Sequence, residues 1–98
     1  MDIQICAADV LEQAADNMII YGWTQGTYGL AGEEQCLIGH VVTVCKENWE
    51  LNDYVYWVLE ERLNKSPQGW NDQIGRTFDE VRDLMLLTAK DLRNEAVS

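Results

Sequence analysis

Between Ile3 and Tyr21 apolar residues return at every third or fourth position: Ile3, Cys6, Ala7, Val10, Leu11, Ala14 and Met18. Gln4, Asp9, Glu12, Gln13 and Asp16 lie off that line. At 3.6 residues per turn the first set falls on one stripe, so the repeat predicts an amphipathic helix that must bury one side. Asp2 stands where an N-cap belongs, and Gly22 where a helix commonly ends. The same period returns near the other end, where Phe78, Val81, Leu84, Met85, Thr88 and Leu92 form a stripe over residues 78–94. Leu86 and Leu87 widen that stripe. Asp79 and Glu80 in its first turn, with Lys90 and Arg93 near its end, match the polarity of a helix dipole. Thr77-Phe78-Asp79-Glu80 reads as a capping box, in which threonine and glutamate each satisfy an orphan backbone N–H.

The intervening chain is less regular. Residues 22–39 contain five glycines, too many breakers for a helix, and Thr24, Thr27 and Tyr28 suit extended backbone. The expectation is a short β-hairpin pairing 24–28 with 33–37 through Gly29-Leu30-Ala31-Gly32. From Cys36 or Leu37 to about Asn48 the stripe Leu37, Val41, Val44 and Cys45 is helical, with Ile38 and Val42 beside it. The β-branched run Val41-Val42-Thr43-Val44 favours a strand over 41–45 as the competing reading. Leu51–Asn64 is a further helix, capped by Asn52 or Asn48, with Val55, Val58, Leu59, Arg62 and Leu63 on its inner face. These elements predict a mainly α, compact four-helix domain with a small β-hairpin between helices 1 and 2, or an α+β fold if 41–45 is a strand. Residues 1–98 read as one domain.

Within the stretch Pro67-Gln68-Gly69-Trp70-Asn71-Asp72, proline and glycine turn the chain out of the third helix and Trp70 plugs the loop onto the core. Asn71 and Asp72 can hold loop amides, and Arg76 can bridge to one of them or to a neighbouring helix end. The functional alternative is a polar recognition loop of Asn71, Asp72 and Arg76.

Charge bounds the partners. The net charge is −10, and residues 1–61 carry eleven acids against Lys46 alone, whereas residues 62–98 carry six of each sign. Clustered Lys and Arg are what phosphate backbones require, so direct nucleic-acid binding is not expected. Basic proteins remain possible partners. No apolar run reaches the ~20 residues of a membrane span, and the N-terminus lacks the basic and apolar regions of a secretory signal. A cytoplasmic protein is expected. Three cysteines without a Cys-x-x-Cys pair agree with a reducing compartment.

Candidates for chemistry are sparse. Cys36 and His40 stand four apart, the spacing of a two-ligand metal half-site, but no paired zinc spacing accompanies them. They also form a conceivable nucleophile pair with Asp72 orienting the imidazole. The plainer reading makes Cys36 a core residue and His40 a semi-exposed one. Glu33-Glu34 and Glu60-Glu61 point about 100° apart on a helix, so neither is an acid–base dyad. No phosphate-binding loop or dinucleotide fingerprint is present. No cofactor and no metal is expected.

The strongest lead is aromatic. Tyr54, Tyr56 and Trp57, with Trp49 nearby, put more ring surface along one helix than one buried face requires. With Asp53 and Glu60 as an acidic rim, they have the composition of a protein–protein surface. Gly22, Trp23, Gln25 and Gly26, then Cys36 and Gly39, then Trp70-Asn71-Asp72 with Gly75-Arg76-Thr77 and a terminal helix, resemble a family of small uncharacterised proteins of actinobacteria and their phages. The resemblance spans roughly residues 8–92, and His40 departs from the small residue of the family pattern. It implies a phage or phage-related gene, a setting in which small acidic proteins act on host proteins. The expected function is a non-enzymatic interaction module that binds a host protein or itself, as a homodimer, through the aromatic helix. The alternatives are a nucleic-acid mimic occupying a basic DNA-binding site and a Cys36/His40 enzyme.

Overall fold

The computed structural model describes residues 2–97, which form five helices: α1 Ile3–Tyr21, α2 Leu37–Cys45, α3 Trp49–Leu63, α4 Pro67–Asn71 and α5 Phe78–Val97. Each long helix starts where its sequence supplies a cap. Asp2 accepts from the Gln4 N–H at 2.8 Å, and Asn48 accepts from the Leu51 N–H at 3.1 Å. At the start of α5 the Thr77 N–H donates to Glu80 Oε1 at 3.0 Å while the Glu80 N–H donates to Thr77 Oγ1 at 3.2 Å, the reciprocal pair of a capping box.

The stripe of α1 buries Ala7, Ala8, Val10, Leu11, Ala14, Ala15 and Met18. Four of these are alanines, whose short side chains let a neighbouring helix come close. That neighbour is α5, the principal partner of α1, which contributes Val81, Leu84, Met85, Ala89 and Leu92 to the same core. The two helices run antiparallel. Arg93 near the end of α5 clamps the first half of α1, donating through Nε and Nη2 to the two Glu12 carboxylate oxygens at 3.1 and 2.6 Å and also pairing with Asp9. Helices α2 and α3 cover the rest of α1 with Leu37, Val41, Val55 and Leu59. The Cα radius of gyration is 12.4 Å, close to the ~13 Å of a compact chain this long.

The structure departs from the sequence expectation in two places and decides between its two readings of residues 41–45. First, residues 22–36 form no hairpin. Two isolated bridges, Trp23 with Gln35 and Gly29 with Gln35, are all the pairing found among the described residues. The loop is held from outside instead, by side chains of α4 and the residues after it. Gly26, Gly29 and Gly32 all take left-handed backbone, which interrupts a strand. Gly29 has a second constraint, since a Cβ there would collide with the Glu34 carbonyl. Residues 41–45 take the helical reading and not the strand, despite their β-branched side chains. Burial of Leu37, Ile38, Val41 and Cys45 outweighs the modest propensity cost. Second, the proline stretch is not merely a turn but an additional short helix, α4, with Pro67 in its first turn and Ser66 as N-cap. On α5, Leu86 and Leu87 lie outside the buried stripe and are exposed.

Candidate functional site

Asn71, the last residue of α4, has no exposed surface and uses its whole amide. Its Oδ1 accepts from Trp23 Nε1 at 2.6 Å and from the Leu37 N–H at 3.0 Å. Its Nδ2 donates to the Thr24 carbonyl at 3.2 Å and to Asp72 Oδ1 at 2.9 Å. Asp72 Oδ1 also accepts from the Gly26 N–H, and Gln25 Nε2 donates to the Asn71 and Gln73 carbonyls. These bonds bring the glycine loop, the start of α2 and the end of α4 to one point. Arg76 does not bridge to Asp72. Its guanidinium lies 3.9 Å above the Trp70 ring and donates to the Trp70 carbonyl, Gln73 Oε1 and Glu80 Oε2. The structure thus gathers Asn71 and Asp72 into a knot that fastens the loop, with Arg76 binding α4 to α5 beside it.

The aromatic residues of α3 divide. Tyr54 and Tyr56 pack against the core, and the Tyr56 hydroxyl donates to Gln68 Oε1 at 2.8 Å. Trp49 is 58% exposed and Trp57 52% exposed. At 100° per residue, Trp49, Asp53, Trp57 and Glu60 fall within about 80° of arc, so they share one solvent-facing stripe. Glu50 and Glu61, also exposed, flank it. Trp57 and Tyr54, tilted by 34° with centroids 6.1 Å apart, line an open groove of about 530 Å3 that α3 forms with α5, with the Arg62–Asp91 ion pair on its wall.

Cys36 and His40 do not form a reactive pair. Cys36 Sγ caps α2, accepting from the Gly39 N–H at 3.3 Å, and burial pushes its thiol up. His40 is 1% exposed rather than semi-exposed, and its Nε2 lies 2.8 Å from the Gly22 carbonyl, so the ring is read as the Nε2–H tautomer donating there. Burial lowers its pKa, only partly countered by that carbonyl. Among the described residues no three His, Cys, Asp or Glu side chains cluster as a metal site.

Sequence reasoning missed a second concavity. A cavity of about 400 Å3 opens between α2 and α3, with Tyr28, Gln35, Asn52 and Gln68 on its wall. Gln35, only 4% exposed, bonds through Nε2 to the Gly39 carbonyl and to the Thr43 hydroxyl. Asn52 Oδ1 is buried without a hydrogen-bond partner. In the sequence Asn52 reads only as a cap candidate, and nothing in its neighbours along the chain announces a cavity.

The fold and surface define a small, mainly helical globule whose glycine-rich loop is tied down by a buried asparagine and whose third helix presents tryptophan to solvent. The chain belongs to a family of unknown function (DUF6197), whose profile matches residues 4–91. No curated protein and no solved structure matches it.

Proposed function

We propose that this protein is a non-enzymatic interaction module that binds a basic protein surface through the Trp49–Asp53–Trp57–Glu60 stripe of α3. The carrying observation is the exposure of both tryptophans, each more than half open to solvent on one helix face. Tryptophan is the side chain most enriched at binding hot spots. The acids around the stripe and the net charge of −10 make a basic partner the complementary one, and they oppose close approach of a second copy. The resemblance to proteins of actinobacteria and their phages supports a phage or phage-related origin, with a host protein in the bacterial cytoplasm as the partner.

The test compares the wild-type chain with the Trp49→Ala/Trp57→Ala double variant as bait, with circular dichroism confirming equal helicity. The expected result is a basic protein retained by the wild type, lost by the variant and released by salt. Identical retention by both baits removes the proposal. Sedimentation velocity addresses the self-association arm: a concentration-dependent dimer abolished by the double variant makes the partner a second copy. The nucleic-acid-mimic reading draws on the excess of acids over bases in residues 1–61. It requires that duplex DNA compete for the captured partner and that the tryptophans be dispensable.

A further inference from the structure

Helices α3 and α5 both pack on α1 but not closely on each other, and the open groove of about 530 Å3 lies between them. Tyr54, Trp57, Val58, Glu61 and Arg62 line it from α3 at helical spacing, so they share one face of that helix. Its charge is lopsided, for the lining holds three acids and one base. The base is already engaged, since Arg62 Nη1 donates to Asp91 Oδ2 at 2.7 Å. Glu61 is exposed, and among the described residues it has no hydrogen bond or ion pair.

The same molecule shows what an indole beside a carboxylate holds. Next to α4, the Arg76 guanidinium lies 3.9 Å from the Trp70 ring centroid, and its Nη1 donates to Glu80 Oε2 at 3.1 Å. In the groove, Trp57 and Glu61 stand four residues apart on α3, the spacing at which helical side chains meet. Trp57 is 52% exposed, and among the described residues no cation lies over its ring. Tyr54, its centroid 6.1 Å from that of Trp57, packs against the core and steadies the indole from one side. The groove thus offers an indole and a carboxylate that no cation of this chain uses.

We propose that the α3/α5 groove receives an arginine side chain from the surface of the partner protein, its guanidinium against Trp57 and paired with Glu61. Arginine fits better than lysine for a physical reason. A guanidinium is planar and weakly hydrated, so it can lie on an aromatic ring while its N–H groups reach a carboxylate. An ammonium is compact and holds its water, and it gains less from the ring. The methylene stem of the arginine lies along Val58, the aliphatic part of the α3 wall. This inference rests on the reading of the protein as a docking module for a basic partner, and it adds which side chain that partner supplies.

The test uses two acetylated, amidated peptides of equal charge, tri-arginine and tri-lysine, titrated into the 15N-labelled chain at one ionic strength. The expected result is saturable shifts at the Trp57 indole N–H and at the Val58 and Leu92 amides. Tri-arginine should bind about 3-fold or more tightly than tri-lysine. Glu61→Gln, an isosteric change on an exposed residue, should weaken tri-arginine by about 3-fold. Glu33→Gln, which removes the same charge from the glycine loop outside the groove, should change it far less. Equal affinity for the two peptides overturns the proposal, because the negative field alone would give that result. So do equal effects of the two glutamine variants, shifts confined to residues outside the groove, or no saturable shift at about 5 mM peptide, a weak-binding ceiling. If the arginine preference is absent while capture of a basic protein still depends on the tryptophans, the groove assignment alone falls. Arginine-selective binding beside identical retention by the wild-type and double-variant baits supports the groove and removes the docking stripe.

Discussion

Asn71 shows how much of a fold can rest on one amide. Its four bonds reach Trp23, Thr24, Leu37 and Asp72, so truncation leaves the buried Leu37 N–H and the Trp23 indole N–H without acceptors. Each such loss costs about 1–3 kcal/mol, so Asn71→Ala is expected to lower unfolding free energy by roughly 2–4 kcal/mol in urea titrations. His40 makes a different prediction. Its folded pKa lies below the ordinary 6.5, because burial disfavours the imidazolium more than the Gly22 carbonyl favours it. Above pH 6.5 neither state is protonated and the group has no effect on stability with pH. As pH falls below 6.5 the unfolded chain takes up a proton that the native ring refuses, so stability declines until the folded pKa is passed. Carboxylates also contribute to acid lability, so the readout is a difference: His40→Gln should show a shallower loss between pH 7 and 5, by up to about 1.4 kcal/mol per pH unit.

At the scale of elements, α2 depends on what it touches. Gly39 lies within the helix, where glycine normally costs about 1 kcal/mol relative to alanine. Here a Cβ would run into the Tyr28 carbonyl, with Gln35 Cβ 3.1 Å away. Gly39→Ala is therefore expected to destabilise, by about 1–3 kcal/mol, reversing the sign that helix propensity predicts. Thermal melts of Gly39→Ala beside a glycine-to-alanine change elsewhere would separate the two effects. The start of α5 offers a calibrating case. Thr77→Ala removes the reciprocal cap and should cost about 1 kcal/mol by the same measurement.

Across the whole molecule, burial and charge set what is reachable. The Cys45 thiol is pushed up to about 11 by burial, and Cys36 is raised as well. Thiolates are the reactive form, so both should resist a thiol reagent in the native protein and react fully in denaturant, which a colorimetric thiol assay reads directly. Trp49 and Trp57 behave in the opposite way. Since each already keeps over half its surface in water, replacing them should change stability far less than the Asn71 substitution, while removing the surface proposed to bind. The negative field favours the basic partner proposed above, and binding to it is expected to fall with ionic strength.

The chain's own order determined the helical periodicities, the caps at Asp2 and Thr77, and the excess of acids, while it left Asn48 and Asn52 as rival caps of the third helix. Each of those is written within one or two turns of backbone, the range over which periodicity and capping act. Only the assembled tertiary structure decided that the glycine segment is a tied loop and not a hairpin, because its fastening runs from Trp23 to Asn71, 48 positions away. It also decided that His40 is enclosed and that Asn52 is left without a partner beside a neutral cavity. Burial of a side chain depends on which distant elements arrive to cover it, and no local pattern of residues carries that information.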